Sequence, residues 1–148
     1  MGSTFPRSIR FDESVSSRLT AYVSRHAGWS GSSVANRLVD EGLRMDEHPG
    51  VYFRDGATGR RAVLIGGPDI REIIRAVKSA RAAERDLEPQ EVIALVQGNT
   101  GVPARLIDVA LRYWSSYPSE IDAWIEGVEA AEDEAYAAWE RQQDLLAR

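Results

Sequence analysis

The amino-acid sequence predicts a mainly α-helical protein with short strands, laid out in three parts. Apolar residues recur at three- and four-residue spacing over most of the chain, the period of helices with one buried face. Stretches suited to strands are short, at residues 6–11, 51–54 and 60–65. Breaks at Asp46-Glu47-His48-Pro49-Gly50 and Tyr117-Pro118-Ser119 divide the chain into residues 1–46, 47–118 and 119–148. Proline disfavours helix at the residue before it, and Pro-Gly favours a turn.

In the first part, Ile9 and Phe11 alternate with the polar Ser8 and Arg10, the pattern of a half-buried strand. Asp12 is a helix N-cap candidate, because its carboxylate can accept unpaired N–H groups of a first turn. Val15, Leu19, Tyr22 and Val23 then recur at helical spacing to about Ala27, where Gly28 suits the left-handed stop. Ser30 is the next N-cap candidate, before Val34, Leu38, Val39 and Leu43. About forty residues arranged strand–helix–helix bury too little surface to fold alone. The chain has no cysteine to staple them. A two-fold dimer meets both needs: the strands pair antiparallel, and Ile9, Phe11, Leu19, Val23, Val34 and Leu38 form one shared core.

Residues 7–45 resemble a ribbon-helix-helix DNA-binding domain, the class of Arc repressor, MetJ and many antitoxins. The resemblance implies a two-stranded ribbon in the DNA major groove, with Pro6, Ser8 and Arg10 turned toward base edges. It also implies a phosphate clamp at the start of the second helix, where Ser30, Gly31 and Ser32 offer N–H groups to an anion. Arg7 departs from the family pattern, which often has an apolar residue there. Pro6 also departs, since it removes a ladder donor.

Charge is distributed in a way that fits this picture. The net charge of the 148 residues is −5. Residues 1–45 carry six arginines against four acids, residues 46–118 are balanced, and residues 119–148 carry nine acids against two arginines. A mildly basic N-terminal unit doubles its charge on pairing, and attraction to phosphates is short-ranged and salt-dependent. The 43% hydrophobic content supports a folded core. No apolar run approaches the roughly 18 residues of a membrane span. The start, MGSTFPRSIR, lacks the apolar core of a signal peptide. A cytoplasmic protein is expected.

The middle part reads as a hairpin followed by three helices. Residues 51–54 and 60–65 flank the glycine-bearing loop Asp55-Gly56-Ala57-Thr58-Gly59. Asp69 caps a helix carrying Ile70, Ile73, Ile74 and Val77. Pro89 opens the next, with Val92, Ile93, Leu95 and Val96. Gly98-Asn99-Thr100-Gly101 reads as a tight connector, and Pro103 opens a helix holding Leu106, Ile107, Ala110, Leu111 and Trp114. With His48-Pro49-Gly50 and the stretch from Gly59 to Pro68, this part resembles the small winged-helix-like domain of unknown function that accompanies VapB-type antitoxins. A charged insertion near residues 78–88 departs from that pattern. The helix at 103–117 is mostly core-like and shows no evident DNA-reading face; Arg105 and Arg112 can touch phosphates but are expected in solvent. A dimerising or partner-binding role follows.

In the last part, Ser119 is expected to cap a helix whose Glu120 and Asp122 suit its positive end. It is rich in alanine and acids, with a thin apolar stripe that needs a groove on a partner. Trp124, Val128, Trp139, Arg141 and Leu145 are the candidate toxin-binding residues. Ile121, Trp124, Ile125 and Val128 can equally pack on the protein's own domain. Glu132, Glu134 and Glu140 are expected to steer a basic partner, and Arg141 and Arg148 to approach an acidic nuclease site.

Nothing in the sequence suggests an enzyme. His26 and His48 are far apart and sit at helix ends, the usual place of surface or capping histidines. Neither glycine-bearing turn matches a P-loop or dinucleotide fingerprint, and no zinc-ligand spacing occurs, so no cofactor or metal is expected. The resemblances imply an antitoxin that represses its own operon and neutralises a protein toxin, a VapC-type PIN-domain ribonuclease. Operator DNA, that toxin and a second copy of the chain are the expected partners, with higher-order assembly on toxin. Two alternatives stay open: a stand-alone ribbon-helix-helix repressor whose C-terminal domain senses a ligand or protein, and an interaction module whose N-terminal unit only dimerises.

Overall fold

A computed structural model describes residues 6–147. Among them are six helices and one two-stranded antiparallel hairpin: α1 (Glu13–Ser24), α2 (Gly31–Glu47), β1 (Val51–Gly56), β2 (Gly59–Leu64), α3 (Ile70–Ala83), α4 (Pro89–Thr100), α5 (Ala104–Ser116) and α6 (Pro118–Leu146). The chain divides into two compact units between Arg44 and Met45. The expected third part, residues 119–148, falls within the second unit. None of the described helices is long and apolar enough to cross a membrane.

The first unit holds α1 and most of α2. Asp12 takes the N-cap position in extended backbone but makes no side-chain cap bond. The helix stops at Ser24, earlier than expected, and Gly28 follows in the left-handed region at φ 84°. Ser30 and Ser33 cap α2 reciprocally: Ser33 N–H donates to Ser30 Oγ at 3.1 Å, and Ser30 N–H donates to Ser33 Oγ at 3.2 Å. The expected strand at residues 6–11 is not a strand in this chain. A strand is a ladder of hydrogen bonds to a neighbour, and this stretch pairs with no segment among the described residues.

The second unit builds its core from the hairpin and four helices. Val51 faces Leu64, and the register runs to Gly56 opposite Gly59. The connection is tighter than expected, because both strands extend into the glycine-bearing loop. Gly59 takes φ 100°, which a side chain would strain, and a Cβ on Gly56 would overlap the Arg61 guanidinium. Leu64, Ile70, Ile74, Val96, Ile107 and Tyr113 are almost fully buried. His48 packs edge-on against Tyr113 and Tyr117, with ring centroids at 5.4 and 5.9 Å, so it is a packing residue rather than a surface one.

Helix ends follow the prolines and acids, with two corrections. Glu88 and Glu91 form a capping box at the start of α4, with Pro89 in the first turn. The stretch from Gly98 to Thr100 is helix, not connector, and α4 ends at Gly101 with φ 72°. Thr100 Oγ1 donates to the Val96 carbonyl at 2.7 Å and accepts from Val102 N–H at 3.2 Å, so one hydroxyl serves both sides of that end. At α6, Pro118 rather than Ser119 opens the helix, after Tyr117 at the N-cap.

Asp69 occupies the N-cap of α3, yet its carboxylate makes no cap bond. It is 4% exposed and receives three guanidiniums: Arg54 at 3.3 Å from β1, Arg61 from β2, and Arg71 at 3.2 Å from α3. The full charge of three arginines outbids the weaker pull of a helix start. Arg71 in turn lies against the Trp124 ring of α6, 2.9 Å from its centroid. Burial pushes the Arg71 pKa down and the charge of Asp69 opposes that shift.

Replacing Asp69 should therefore leave three guanidiniums, Arg61 and Arg71 of them partly buried, without their shared carboxylate. Asp69→Asn keeps the shape and removes the charge. It should cost on the order of 3–5 kcal/mol, the range for breaking a buried ion pair from one side. Urea denaturation followed by tryptophan fluorescence measures this. A loss below about 1 kcal/mol, the worth of a surface ion pair, would show that the cluster does not hold the unit together.

Candidate functional site

Taken by itself, the first unit is unfinished. α1 buries no residue, and α2 buries only Val34 and Glu41. Of the six residues expected in a shared core, Val34 is buried, Leu19 and Val23 are half-buried, and Ile9, Phe11 and Leu38 are exposed at 62%, 39% and 39%. Phe11, Val15, Leu19, Tyr22, Leu38 and Val39 line an open groove of about 360 Å3. Apolar surface of that kind on a two-helix unit has no internal way to leave water.

The segment expected to read bases lies beside the turn expected to hold phosphate. Arg7, Ile9 and Phe11 line a second groove together with Gly31, Ser32 and Asn36. Pro6, Ser8 and Arg10 are exposed. The Ser30 N–H donates to Ser33 Oγ at 3.2 Å, so it is already engaged and not offered to a phosphate. Gly31 and Ser32 remain as the donors of the helix start, whose first N–H groups have no partner within the helix.

Sequence reasoning missed what joins α1 to α2 here. Arg37 donates to Tyr22 Oη at 2.7 Å and lies 4.4 Å from the Trp29 ring centroid. His26 stacks on Tyr22 with centroids 4.3 Å apart, and its Nδ1 lies 2.8 Å from the Tyr22 carbonyl. Trp29 thus packs on a cation while staying 44% exposed. The aromatic spacing 22, 26, 29 was visible in the sequence; the arginine eight residues beyond Trp29 gave no local signal.

The candidate toxin-binding residues separate into two groups along α6. Ile121 and Ile125 are buried in the second unit, Trp124 covers Arg71, and Val128 is half-buried. Trp124 and Val128 therefore serve their own domain, because apolar residues three and four apart present one face to its core. Further ties hold this half. Lys78 pairs with Asp122 at 2.7 Å, and Trp114 Nε1 donates to the same carboxylate at 2.8 Å. Those two bonds hold the Asp122 pKa below the usual carboxylate range. Arg75 pairs with Glu129 at 3.7 Å and donates to both Glu132 oxygens, lowering the Glu132 pKa and raising its own.

Among the described residues, the helix beyond Glu132 makes no such ties to the rest of the unit. Trp139 is 52% exposed and Leu145 76%, and the Tyr136 and Trp139 rings lie 5.8 Å apart. Arg141 pairs with Glu134 at 2.9 Å, on the same helix. Two of the three glutamates expected to steer a partner are thus already paired, Glu132 with Arg75 and Glu134 with Arg141. Arg148 lies outside the described residues.

No family model, curated protein or solved structure compared with this chain matches it.

Proposed function

We propose that this chain is an operator-binding antitoxin: a two-fold dimer through its N-terminal unit, which reads DNA, with the free end of α6 holding a protein toxin. The observation that carries the reading is the unfinished first unit. Its apolar groove and its segment at residues 6–11, which has no strand partner among the described residues, lie side by side. A second copy supplies both missing partners at once: a strand for the unpaired backbone and an apolar face for the groove. Such a pairing is isologous and closes. Arg10, exposed on that segment, then stands on the ribbon surface that faces a major groove, where arginine prefers guanine. The N–H groups of Gly31 and Ser32 fit the adjacent phosphate.

The toxin-binding element is the end of α6 past Glu132. Its support is the exposed Tyr136–Trp139 pair and the exposed Leu145, on a helix otherwise polar and acidic. Tryptophan is a common hot spot of protein interfaces. Following the ribbon-helix-helix and winged-helix-like resemblances, the toxin is a PIN-domain ribonuclease.

Sedimentation should find a folded dimer at low micromolar concentration. Phe11→Ala should cost about 3–5 kcal/mol per site, as large-to-small core changes do. A folded monomer at that concentration would overturn the dimer.

In mobility-shift assays, Arg10→Ala should lose roughly 1–3 kcal/mol of base discrimination per contact. Ser32→Pro, which removes the N–H, should weaken all DNA sequences alike, because phosphate contacts position without specifying. Unchanged operator preference after Arg10→Ala would show that the segment is not the reader.

Deleting residues 133–148 spares the ties of Arg75 and should leave operator binding intact. It should abolish copurification with the product of an adjacent toxin gene and end protection of cells expressing that toxin. Protection by the shortened chain would remove the α6 end from the function.

A further inference from the structure

Where α3, α4 and α5 meet, the second unit has an open groove of about 560 Å3. Val77, Val92, Ile93 and Leu111 form its apolar floor, and Lys78, Arg81 and Arg85 stand along it. Lys78 shares its charge with Asp122. Arg81 and Arg85 have no carboxylate partner among the described residues. Arg81 donates instead to the carbonyls of Arg85 and Leu87, at 3.3 and 2.6 Å, which fixes its guanidinium beside the groove.

The complementary surface is on the same chain. Past Glu132, α6 continues to Leu146, roughly 20 Å at 1.5 Å per residue. This stretch carries Asp133, Glu140 and Asp144 without a cation partner among the described residues, and its Tyr136, Trp139, Leu145 and Leu146 are exposed. We propose that this acidic, aromatic end of α6 seats in the basic-edged groove of a second copy of the chain, each copy offering its helix to the other.

The helix cannot reach its own groove. No glycine or proline follows Gly127, so nothing in the sequence bends α6 back on itself. The pairs from Arg75 to Glu129 and Glu132 fix its direction just beyond that glycine. Pairing two helix ends with each other would set acids against acids. The groove offers the opposite charge and an apolar floor, so it satisfies both faces of the stripe. Two such seats in a dimer are equivalent and closed. Seating needs neither DNA nor toxin. Under the proposed function it competes with toxin, because one stripe cannot lie in two places.

The absence of cysteine makes a direct test possible. One full-length chain carries Ala82→Cys, an exposed position on the groove; another carries Ala135→Cys or Ala138→Cys, exposed on the helix end. The two are mixed, oxidised with copper–phenanthroline and separated without reductant. At least tenfold more mixed disulfide is expected than from a control pair with Arg105→Cys in place of Ala82→Cys. The yield should fall severalfold in 0.5 M sodium chloride or on adding Arg85→Glu to the groove chain. It should return when Glu140→Arg and Asp144→Arg are added to the helix chain. A yield no higher than control for both helix positions, or one indifferent to Arg85→Glu and salt, overturns the proposal. So does a double-cysteine chain that closes only on itself. Operator binding measured on the same samples separates the two ideas: intact binding without the cross-link rejects the seat alone.

Discussion

The second unit depends on one buried carboxylate. Asp69 has its own place in the chain at a helix start, but its charge is spent on arginines from both hairpin strands and from α3. A buried charge is costly unless it is paired and hydrogen-bonded. Here the pairing also fixes geometry. The hairpin must present Arg54 and Arg61 from one rung, where they stand opposite each other across the two strands, and α3 must place Arg71 two residues after its cap. Arg71 then offers a flat cation on which Trp124 rests, so the seat of α6 is set by the same carboxylate. Apolar packing supplies most of the favourable energy, while the carboxylate fixes which arrangement that packing takes.

The two units show opposite solutions to the problem of size. The second closes a core within one chain, with four helices over a hairpin. The first has two helices, one buried apolar residue and an aromatic–arginine cluster built on Tyr22, Trp29 and Arg37. That cluster sets how α1 meets α2 without hiding the apolar groove. The unit holds its shape and leaves its apolar face open, and the proposed dimer would use that face.

Much of the fold could be read from single residues whose backbone chemistry is local. Asp69, Pro89 and Pro103 mark helix starts, and Gly56 and Gly59 bound the hairpin turn, because each acts within a few residues of itself. Local pattern was silent where the partner was distant. Residues 6–11 alternate as a strand should, and a strand is completed by a neighbour that a single chain does not supply. Asp69 had the residue type of a cap, and only the fold brings the arginines from positions 54 and 61. Gly98 to Gly101 looked like a connector from composition alone, whereas burial of Val96 and the Thr100 hydroxyl carry the helix through. On α6 the apolar stripe was legible as a stripe. Its division at Glu132 was not, since Arg75 lies 57 positions earlier.

That division settles what kind of element α6 is. Its first half is tied by Ile121 and Ile125, by the Trp124–Arg71 contact, and by the pairs of Lys78 and Arg75. Its second half continues the same helix without a break, to Leu146. An arm of this kind fixes the position and direction of Trp139 relative to the core. It would relay a signal only if its seat had two arrangements to choose between. Three guanidiniums around one carboxylate over-determine a single arrangement of that seat. Under the proposals above, occupancy of the helix end, by a second copy or by a partner, would act by covering surface and by mass action, and not by moving the domain behind it.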